Sequence, residues 1–222
     1  MPLSFLKNFA ARIPVSWQLE IRRHVYRGQI RRDRFITDEP EYALLESLLS
    51  AGDWAIDVGA NIGHYTKRMS DLVGKQGRVV AFEPVSDTFS LLAANARNYK
   101  NQNVTLLNAA ASDKSGITGI SVPHFANGLS NYYEASLVAN GDGLPVLTLA
   151  IDSLGLPSRV RLVKIDAEGH ELSVLNGMQV LLKRDKPVLI VEVSTGAVHS
   201  LLDEMGYSRE TLANSPNHIY RA

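Results

Sequence analysis

The segment from Trp54 to Gly63 constrains the fold of this chain more than any other stretch of its sequence. It reads WAIDVGANIG, a short apolar run that ends in an acid and continues into a Gly-x-x-x-Gly turn. An amphipathic segment, His64 to Val73, comes next. The pattern predicts a strand, a tight turn and the start of a helix. Glycine lets the backbone of such a turn approach a ligand, which the free N–H groups of the first helical turn can then bind.

A second apolar run, from Arg78 to Phe82, ends in Glu83 and Pro84. In nucleotide-binding βαβ units an acid about 20 residues after the glycine turn accepts hydrogen bonds from the ribose of the ligand. Asp57 closes the first predicted strand in the same way. Together these residues predict a site for a cofactor that carries a nucleoside.

The glycine spacing discriminates among such cofactors. A dinucleotide fold requires Gly-x-Gly-x-x-Gly, and Asn61 occupies the position of its second glycine. The chain also contains no Gly-x-x-x-x-Gly-Lys-Ser/Thr loop, which argues against nucleoside triphosphate hydrolysis. Asp57 would repel phosphate but suits an ammonium or sulfonium charge. S-adenosylmethionine (SAM) carries both charges and a ribose diol for Glu83, so we predict this cofactor.

Composition is that of an ordinary globular protein. The 222 residues suit one domain, and a formal net charge of zero gives no argument for binding nucleic acid. The absence of cysteine excludes disulfides, thiolate zinc sites and a cysteine nucleophile, and fits the reducing cytoplasm. No apolar run approaches the ~18 residues of a membrane span. The chain start is interrupted by polar residues and Pro14, unlike a secretion signal.

Residues 1–36 are rich in arginine and differ from the predicted main domain, 37–222. Apolar residues such as Trp17 and Ile21 interleave with the charges. One interpretation is a basic amphipathic helix pair that lies on a membrane surface or an acidic partner. The other is a helical cap over the substrate cleft, with its arginines in solvent. Pro14 breaks the amphipathic run and favours the cap.

Strands and helices alternate along the predicted main domain. The predicted strands lie near 54–58, 78–83, 104–108, 161–166 and 187–193. The predicted helices lie near 38–49, 64–73, 86–99, 170–183 and 196–205. Because the strands are short and almost continuously apolar, they predict an α/β fold with a parallel sheet covered on both faces. Residues 207–222 predict a final hairpin.

A long insertion, 112–159, separates the third and fourth of these strands and is expected to form part of the substrate side. It contains turn signals at Asn127-Gly128 and at 140–143. Within it, Asn131, Tyr132, Tyr133 and His124 could contact a substrate. The two tyrosines could instead only pack the insertion against the body.

The second cluster of candidate site residues follows the apolar strand near 161–166. Side chains alternate along a strand, so Lys164 and Asp166 should share one face at the ligand-binding edge. Asp166 or His170 could take a proton from an attacking hydroxyl, and Glu168 could reach the same space. These three side chains could also ligate a divalent metal, but no second acidic cluster accompanies them, and a metal site is not favoured.

In chain order, these motifs resemble the FkbM family of methyltransferases. The resemblance spans about 41–193 and is carried by DVGANIG from Asp57, FEP at 82–84, Asn95, LAIDSL at 149–154, KIDAEGHE from Lys164, and VE at 191–192. It implies a Rossmann-like class I methyltransferase fold with a mostly parallel seven-stranded sheet. It also implies SAM as cofactor and O-methylation of a hydroxyl on a sugar or natural product, and hence a small-molecule or glycan acceptor.

The resemblance implies roles for individual residues. The loop for the methionine and ribose of SAM comprises Gly59, Ala60, Asn61 and Gly63. Asp57 lies beneath this loop, Glu83 and the adjoining Pro84 meet the ribose, and adenine falls at Ala110 and Ala111. The catalytic candidates are Asp166, Glu168, Lys164 and His170. His170 replaces a residue that is usually small, so its role is specific to this chain or absent.

The sequence thus predicts a SAM-dependent O-methyltransferase in which Asp166, Glu168 or His170 deprotonates the acceptor. Two alternatives remain. An NAD-dependent oxidoreductase would use a related fold, but the missing middle glycine argues against it. A non-catalytic module could keep the cofactor loop and bind a partner or a membrane through the basic N-terminus.

Overall fold

The computed structural model of the chain describes residues 13–125, 129–138 and 143–222, except for the side chain of Tyr133. Residues 1–12 of the predicted extension and the turn signals at Asn127-Gly128 and 140–142 lie outside this range. The strands are β1 (Trp54–Val58), β2 (Arg78–Phe82), β3 (Val104–Leu107), β4 (Ala110–Ala111), β5 (Gly116–Ser121), β6 (Ser136–Val138), β7 (Leu144–Leu149), β8 (Val160–Ile165), β9 (Val188–Glu192), β10 (Ser208–Thr211) and β11 (Asn217–Arg221). The α-helices are α1 (Val15–Arg31), α2 (Pro40–Leu48), α3 (His64–Val73), α4 (Ser86–Ala96), α5 (Glu171–Asn176), α6 (Gln179–Asp185) and α7 (Gly196–Glu204).

The main sheet has seven strands in the order β10-β11-β9-β8-β1-β2-β3. The pairs from β9 across to β3 are parallel, whereas β11 is antiparallel to both β9 and β10. The predicted fold class, including the C-terminal antiparallel hairpin, is confirmed. Because β1 pairs with β2 on one side and with β8 on the other, the order in which successive strands are added to the sheet reverses at β1. Ligands bind beside such a reversal point in open α/β sheets.

Apolar side chains of the central strands cover both faces of this sheet. On one face Ile56 and Val163 pack with residues of α5 and α6 such as Leu175. On the other face Ala55 and Ile190 pack with residues of α2 and α3, in a cluster that also contains Leu45, Met69 and Val79. Burial on both faces accounts for the nearly continuous apolar runs in these strands.

The predicted insertion, 112–159, forms most of a second, four-stranded sheet in the order β4-β7-β5-β6. β5 is antiparallel to both β6 and β7, while the short β4 is parallel to β7. The sequence pattern did not predict these strands. Since β4 directly follows the third strand of the main sheet, this small sheet is held beside the ligand-binding edge.

The prediction of one helix over 170–183 is wrong, because the chain forms α5 and α6 with a break at Gly177. A Cβ atom at Gly177 would lie 1.8 Å from the carbonyl oxygen of Ser112, so the break lets two backbone segments touch. The carboxylate of Asp152 then accepts hydrogen bonds from the N–H groups of Val180 and Leu181, at 2.8 and 2.9 Å, in the first turn of α6. Contacts with the insertion therefore decide where this helix is interrupted.

Of the predicted basic helix pair, the described residues contain one helix, α1, which begins directly after Pro14. It packs against α4. The guanidinium of Arg23 donates a hydrogen bond of 3.1 Å to the hydroxyl of Ser90 on α4. Leu19 and Ile30 contribute to an apolar cluster beneath the helix. Over the part of the chain that the structure describes, no helix is both long and apolar enough to cross a bilayer.

Candidate active site

A cleft lies at the carboxyl ends of β1, β2 and β8. It contains most of the residues that the sequence predicted for the site: Gly59, Asn61, Glu83, Pro84, Ala110, Ala111, Asp166, Glu168 and His170. The insertion closes it with Ile120, Tyr132, Ala135 and Leu137. The sheet order thus brings together segments that are about 25 to 110 residues apart along the chain.

The tight turn after β1 depends on a contact with the end of β8. Gly59 has a φ of +74°, and a Cβ atom on it would lie 1.9 Å from the carbonyl oxygen of Asp166. The N–H of Asp166 in turn donates a hydrogen bond of 3.1 Å to the carbonyl of Val58. Because Gly59 has no side chain, the ends of β1 and β8 can touch at this point. The same absence exposes the backbone of the turn to the cleft.

Ala60 and Gly63 shape the turn without lining the cleft. Ala60 is buried in a small cluster with Leu92. Gly63 has a φ of +96°, and a Cβ atom there would lie 2.3 Å from the hydroxyl oxygen of Tyr99. The side-chain amide of Asn95 supports the same turn by donating a hydrogen bond of 2.9 Å to the carbonyl of Ile62.

Glu83 follows β2 and is almost completely buried at the floor of the cleft. One carboxylate oxygen accepts a hydrogen bond of 2.8 Å from the N–H of Asn61, and the other accepts one of 2.9 Å from the N–H of Val85. Burial raises the pKa of Glu83 to about 7, although these two bonds act in the opposite direction. Each oxygen keeps a further lone pair that can accept a hydroxyl proton of a bound ligand.

Asp57 lies beneath the turn, with its side chain fully buried on the α3 side of β1. One oxygen accepts a hydrogen bond of 2.5 Å from the hydroxyl of Thr66, whereas the other, Oδ1, has no hydrogen-bond partner among the described residues. Burial raises the pKa of Asp57, and Lys164 and Thr66 partly offset this. A buried carboxylate oxygen without a partner is costly, so this position favours a ligand cation or a bound water.

Lys164 is paired with Asp57 in the sheet register and lies behind the cleft wall. Its ammonium donates a hydrogen bond of 2.8 Å to Asp166, which confirms that the two side chains share a face. Burial alone would lower the pKa of Lys164, but the carboxylates of Asp166 and Asp57 raise it above its usual value. Lys164 is therefore held charged, and it holds the Asp166 carboxylate at the mouth of the cleft.

Three residues outside the predicted catalytic and cofactor-binding sets surround this ion pair, although Glu192 was expected as a cleft residue or a strand-end acid in solvent. The Lys164 ammonium lies 4.6 Å from the ring centre of Tyr65, whose hydroxyl donates a hydrogen bond of 2.6 Å to Glu39. The half-buried carboxyl of Glu192, at the end of β9, lies close enough to Asp166 to interact with it. Burial and the charge of Asp166 raise the pKa of Glu192 to about 7. An acid that ends a buried strand was the sequence signal for Glu192, while Tyr65 and Glu39 carried none.

His170 and Glu168 lie in the turn between β8 and α5. His170 Nε2 is 2.9 Å from the hydroxyl of Ser112, and burial lowers the pKa of His170. Glu168 is exposed as a whole, although its carboxylate is partly buried. This partial burial, together with the charge of Asp166, raises the pKa of Glu168. Within residues 13–125, 129–138 and 143–222, no three His, Asp or Glu side chains converge as metal ligands do.

Part of the cleft is apolar. Ala110 and Ala111 are buried in its wall, next to Ile120 and Leu137 of the insertion. Tyr132 also lines it, and its hydroxyl donates a hydrogen bond of 2.9 Å to Asp87 in the first turn of α4. Of the aromatic candidates in the insertion, Tyr132 thus reaches the cleft, whereas the side chain of Tyr133 lies outside the described residues.

A cleft with a glycine turn, an acid after β2 and this sheet order is that of a Rossmann-like fold that binds a nucleoside-bearing ligand. The model of the methyltransferase FkbM domain matches residues 57–209. The chain belongs to the FkbM family, as its motifs predicted. Over 213 residues it is 30% identical to the hexuronic acid methyltransferase AglP of Haloferax volcanii, an alignment that covers 92% of this chain and 81% of AglP.

Solved structures agree on the fold. The methyltransferase FkbM of Methylobacillus flagellatus superposes with a TM-score of 0.61 at 20% identity, covering 83% of this chain and 48% of the other. This chain thus spans about half the length of that relative. Aeropyrum pernix fibrillarin, crystallised with S-adenosyl-L-methionine, gives a TM-score of 0.51 at 14% identity over 82% of this chain and 73% of fibrillarin.

Proposed function

We propose that this methyltransferase transfers the methyl group of SAM to a hydroxyl group of a sugar acceptor. The observation that carries the proposal is the arrangement of three chemically different regions along one cleft. The cleft has an apolar wall at Ala110 and Ala111, a buried carboxylate at Glu83, and the partly exposed carboxylate of Asp166. Adenine, ribose and the sulfonium with its acceptor require environments of these three kinds.

The described residues fit the cofactor. Glu83 has free lone pairs for a ribose diol, and Gly59 and Asn61 present backbone next to it. The unpartnered Oδ1 of Asp57, beneath the same turn, suits the cationic methionine end of SAM. SAM supplies a methyl group that its sulfonium already activates, so the chain itself has to align a nucleophile and take one proton.

Asp166 is the best-placed proton acceptor among the candidates. It lies at the tip of β8 next to Gly59, its side chain is 31% exposed to the cleft, and Lys164 orients it. Glu168 lines the cleft but is more exposed than Asp166, and His170 Nε2 is engaged by Ser112. With SAM bound, an acceptor hydroxyl aligned with its methyl group would take that group from the sulfur and would pass its own proton to Asp166.

A sugar is the acceptor that the relatives favour. AglP is named as a hexuronic acid methyltransferase, and we propose a sugar or sugar acid here on that basis. The decisive assay supplies SAM with a methyl label and a panel of sugars, uronic acids and hydroxylated metabolites. Chemical analysis of the product should find the label as a methyl ether; a label on nitrogen or carbon would contradict O-methylation.

Replacing Glu83 by glutamine should weaken SAM binding and remove its pH dependence. With a pKa of about 7, Glu83 is mostly protonated at pH 6 and mostly ionised at pH 8. Because the ionised form accepts the ribose hydroxyls, native affinity should rise about tenfold over this interval. Calorimetry across this range measures it.

The exposed acid Glu134, on the insertion, gives the control variant Glu134→Gln, which should retain the native profile. A native affinity that falls with rising pH, or an unchanged profile in Glu83→Gln, would contradict this role.

NAD in place of SAM provides the test of an oxidoreductase: stabilisation by NAD and not by SAM in a thermal shift would overturn the proposed function.

Glu192→Gln should alter how turnover depends on pH. Near pH 6 the protonated Glu192 can donate to Asp166, and as pH rises through about 7 Glu192 ionises, so this donation is lost and the lone pairs of Asp166 are free for the acceptor proton. Native turnover at saturating substrate should therefore rise through this interval. A glutamine donates at every pH, so the rise near pH 7 should disappear, while the exposed-site control Glu210→Gln should keep it. A rise that persists in Glu192→Gln would assign the titration to another group.

A further inference from the structure

The helix α1 has two opposite faces, one packed against the body of the protein and one exposed. Leu19 and Ile30 pack into the apolar cluster against α4. On the far side Trp17, Ile21 and Val25 are 67%, 50% and 47% exposed. Their spacing of four residues places them in one line along the helix. We call these three residues the apolar stripe.

Unpaired positive charge borders the apolar stripe. Residues 1–37 contain eight basic residues and two acids, and since the whole chain is formally neutral, residues 38–222 carry a net negative charge. Arg27, Arg31 and Arg32 are exposed, and none forms an ion pair within the part of the chain that the structure describes. An external anionic surface would therefore attract α1 and repel the remainder of the molecule.

We propose that α1 docks this protein on an anionic phospholipid bilayer, with the apolar stripe in the headgroup region and the three arginines against lipid phosphates. Tryptophan favours that interface, and a helix with an apolar line and basic flanks lies in its plane. The stripe is a convex ridge on a single helix, which a fluid bilayer can enclose. Two copies facing each other through the stripe would instead bring their arginines together.

Docking through α1 has a consequence for the cleft. The guanidinium of Arg22, on the side of α1 that faces the body, lies 5.9 Å from the ring centre of Tyr132. Tyr132 lines the cleft. The docked helix thus holds the cleft beside the bilayer surface.

The test is sedimentation of the full chain with vesicles of phosphatidylcholine alone or mixed with phosphatidylglycerol. The native chain should bind the mixed vesicles only, and less as salt is raised. Replacing Arg27, Arg31 and Arg32 by glutamine should lower the partition coefficient about 100-fold, since each basic residue near an anionic surface contributes roughly a factor of five. Trp17→Ser with Ile21→Ser should lower it about tenfold or more by removing apolar contact.

Matched controls come from α6. Val180 is 66% exposed, and Lys183 is exposed on the same helix, so Val180→Ser with Lys183→Gln should leave vesicle binding unchanged. Thermal melting by circular dichroism should show that all variants fold. With Trp54 replaced by phenylalanine, Trp17 is the remaining tryptophan and its emission should shift to shorter wavelength on mixed vesicles.

Three outcomes would overturn the proposal: no binding to mixed vesicles, equal binding to neutral vesicles, or control variants that lose binding as the stripe variants do. A dimer in analytical ultracentrifugation that Trp17→Ser abolishes would also overturn it, by assigning the stripe to self-association. The measurement needs neither SAM nor an acceptor, so its result is independent of the proposed methyl transfer.

Discussion

Replacing Asp166 by asparagine should lower turnover about 10³-fold, the loss expected when a positioned general base is removed. The substitution keeps the shape of the side chain and a group that can face Lys164, but asparagine cannot accept the acceptor proton at neutral pH. The ribose and adenine contacts lie elsewhere in the cleft, so SAM affinity should stay within about threefold. Methyl-transfer kinetics and calorimetry on the same preparation measure both quantities.

Companion variants decide among the three predicted bases. Glu168→Gln and His170→Gln should each reduce turnover by less than about tenfold, because Glu168 is exposed and His170 is bound to Ser112. If Glu168→Gln or His170→Gln causes the larger loss, that residue is the base. If Asp166→Asn weakens SAM binding as much as it slows turnover, Asp166 is a binding residue instead.

Gly59→Ala should prevent stable folding or lower the free energy of unfolding by about 4 kcal/mol or more. The alanine would have to adopt a φ of +74°, and its Cβ atom would lie 1.9 Å from the carbonyl oxygen of Asp166. That oxygen is a backbone atom of the residue that directly follows β8, so it cannot move away as the end of a flexible side chain can. A melting temperature lower by roughly 10 °C is the expected reading for a chain of this size.

Gly52→Ala separates backbone strain from the overlap. Gly52 has a φ of +93°, and a Cβ atom there meets nothing within 4 Å. This variant should cost only about 1 kcal/mol, the strain of an alanine at positive φ. If Gly52→Ala and Gly59→Ala lower the free energy of unfolding equally, the overlap of the new Cβ atom with the Asp166 carbonyl adds nothing to the cost of positive φ.

Local sequence predicted the elements of the central sheet well. The predicted bounds of β1 agree with the structure, and those of β2, β3, β8 and β9 differ by at most one residue. These strands are short, apolar and flanked by turn residues, so their neighbours along the chain are sufficient to specify them. The same reasoning located the C-terminal hairpin and the family motifs.

The strands of the insertion escaped prediction for a physical reason. β5 contains two glycines and β7 contains Pro145, and apolar side chains on both, such as Ile117 and Leu147, are exposed. Residues of this kind favour turns as much as strands. Hydrogen bonds between β5 and β7, and the attachment of β4 to β7, create strands that local propensity alone would not.

The ion pair of Lys164 and Asp166 shows the same division within the candidate site. Alternation along β8 predicted that these two side chains would meet, because both lie on one strand. Their neighbours Glu39, Tyr65 and Glu192 come from three other elements, and only the packing of α2 and α3 beside β1 and β9 brings them together.

By itself, the sequence determined the fold class, the family, the two motifs and the edge of the sheet at which they meet. These features depend on periodicity and on turn chemistry, which act between residues close along the chain. Only the tertiary structure decided that Gly59 must accommodate the Asp166 carbonyl, that Gly177 must interrupt a helix, and that α1 leaves Trp17, Ile21 and Val25 exposed. Each of these depends on contact or lack of contact between distant segments, and that is set by how the strands and helices pack.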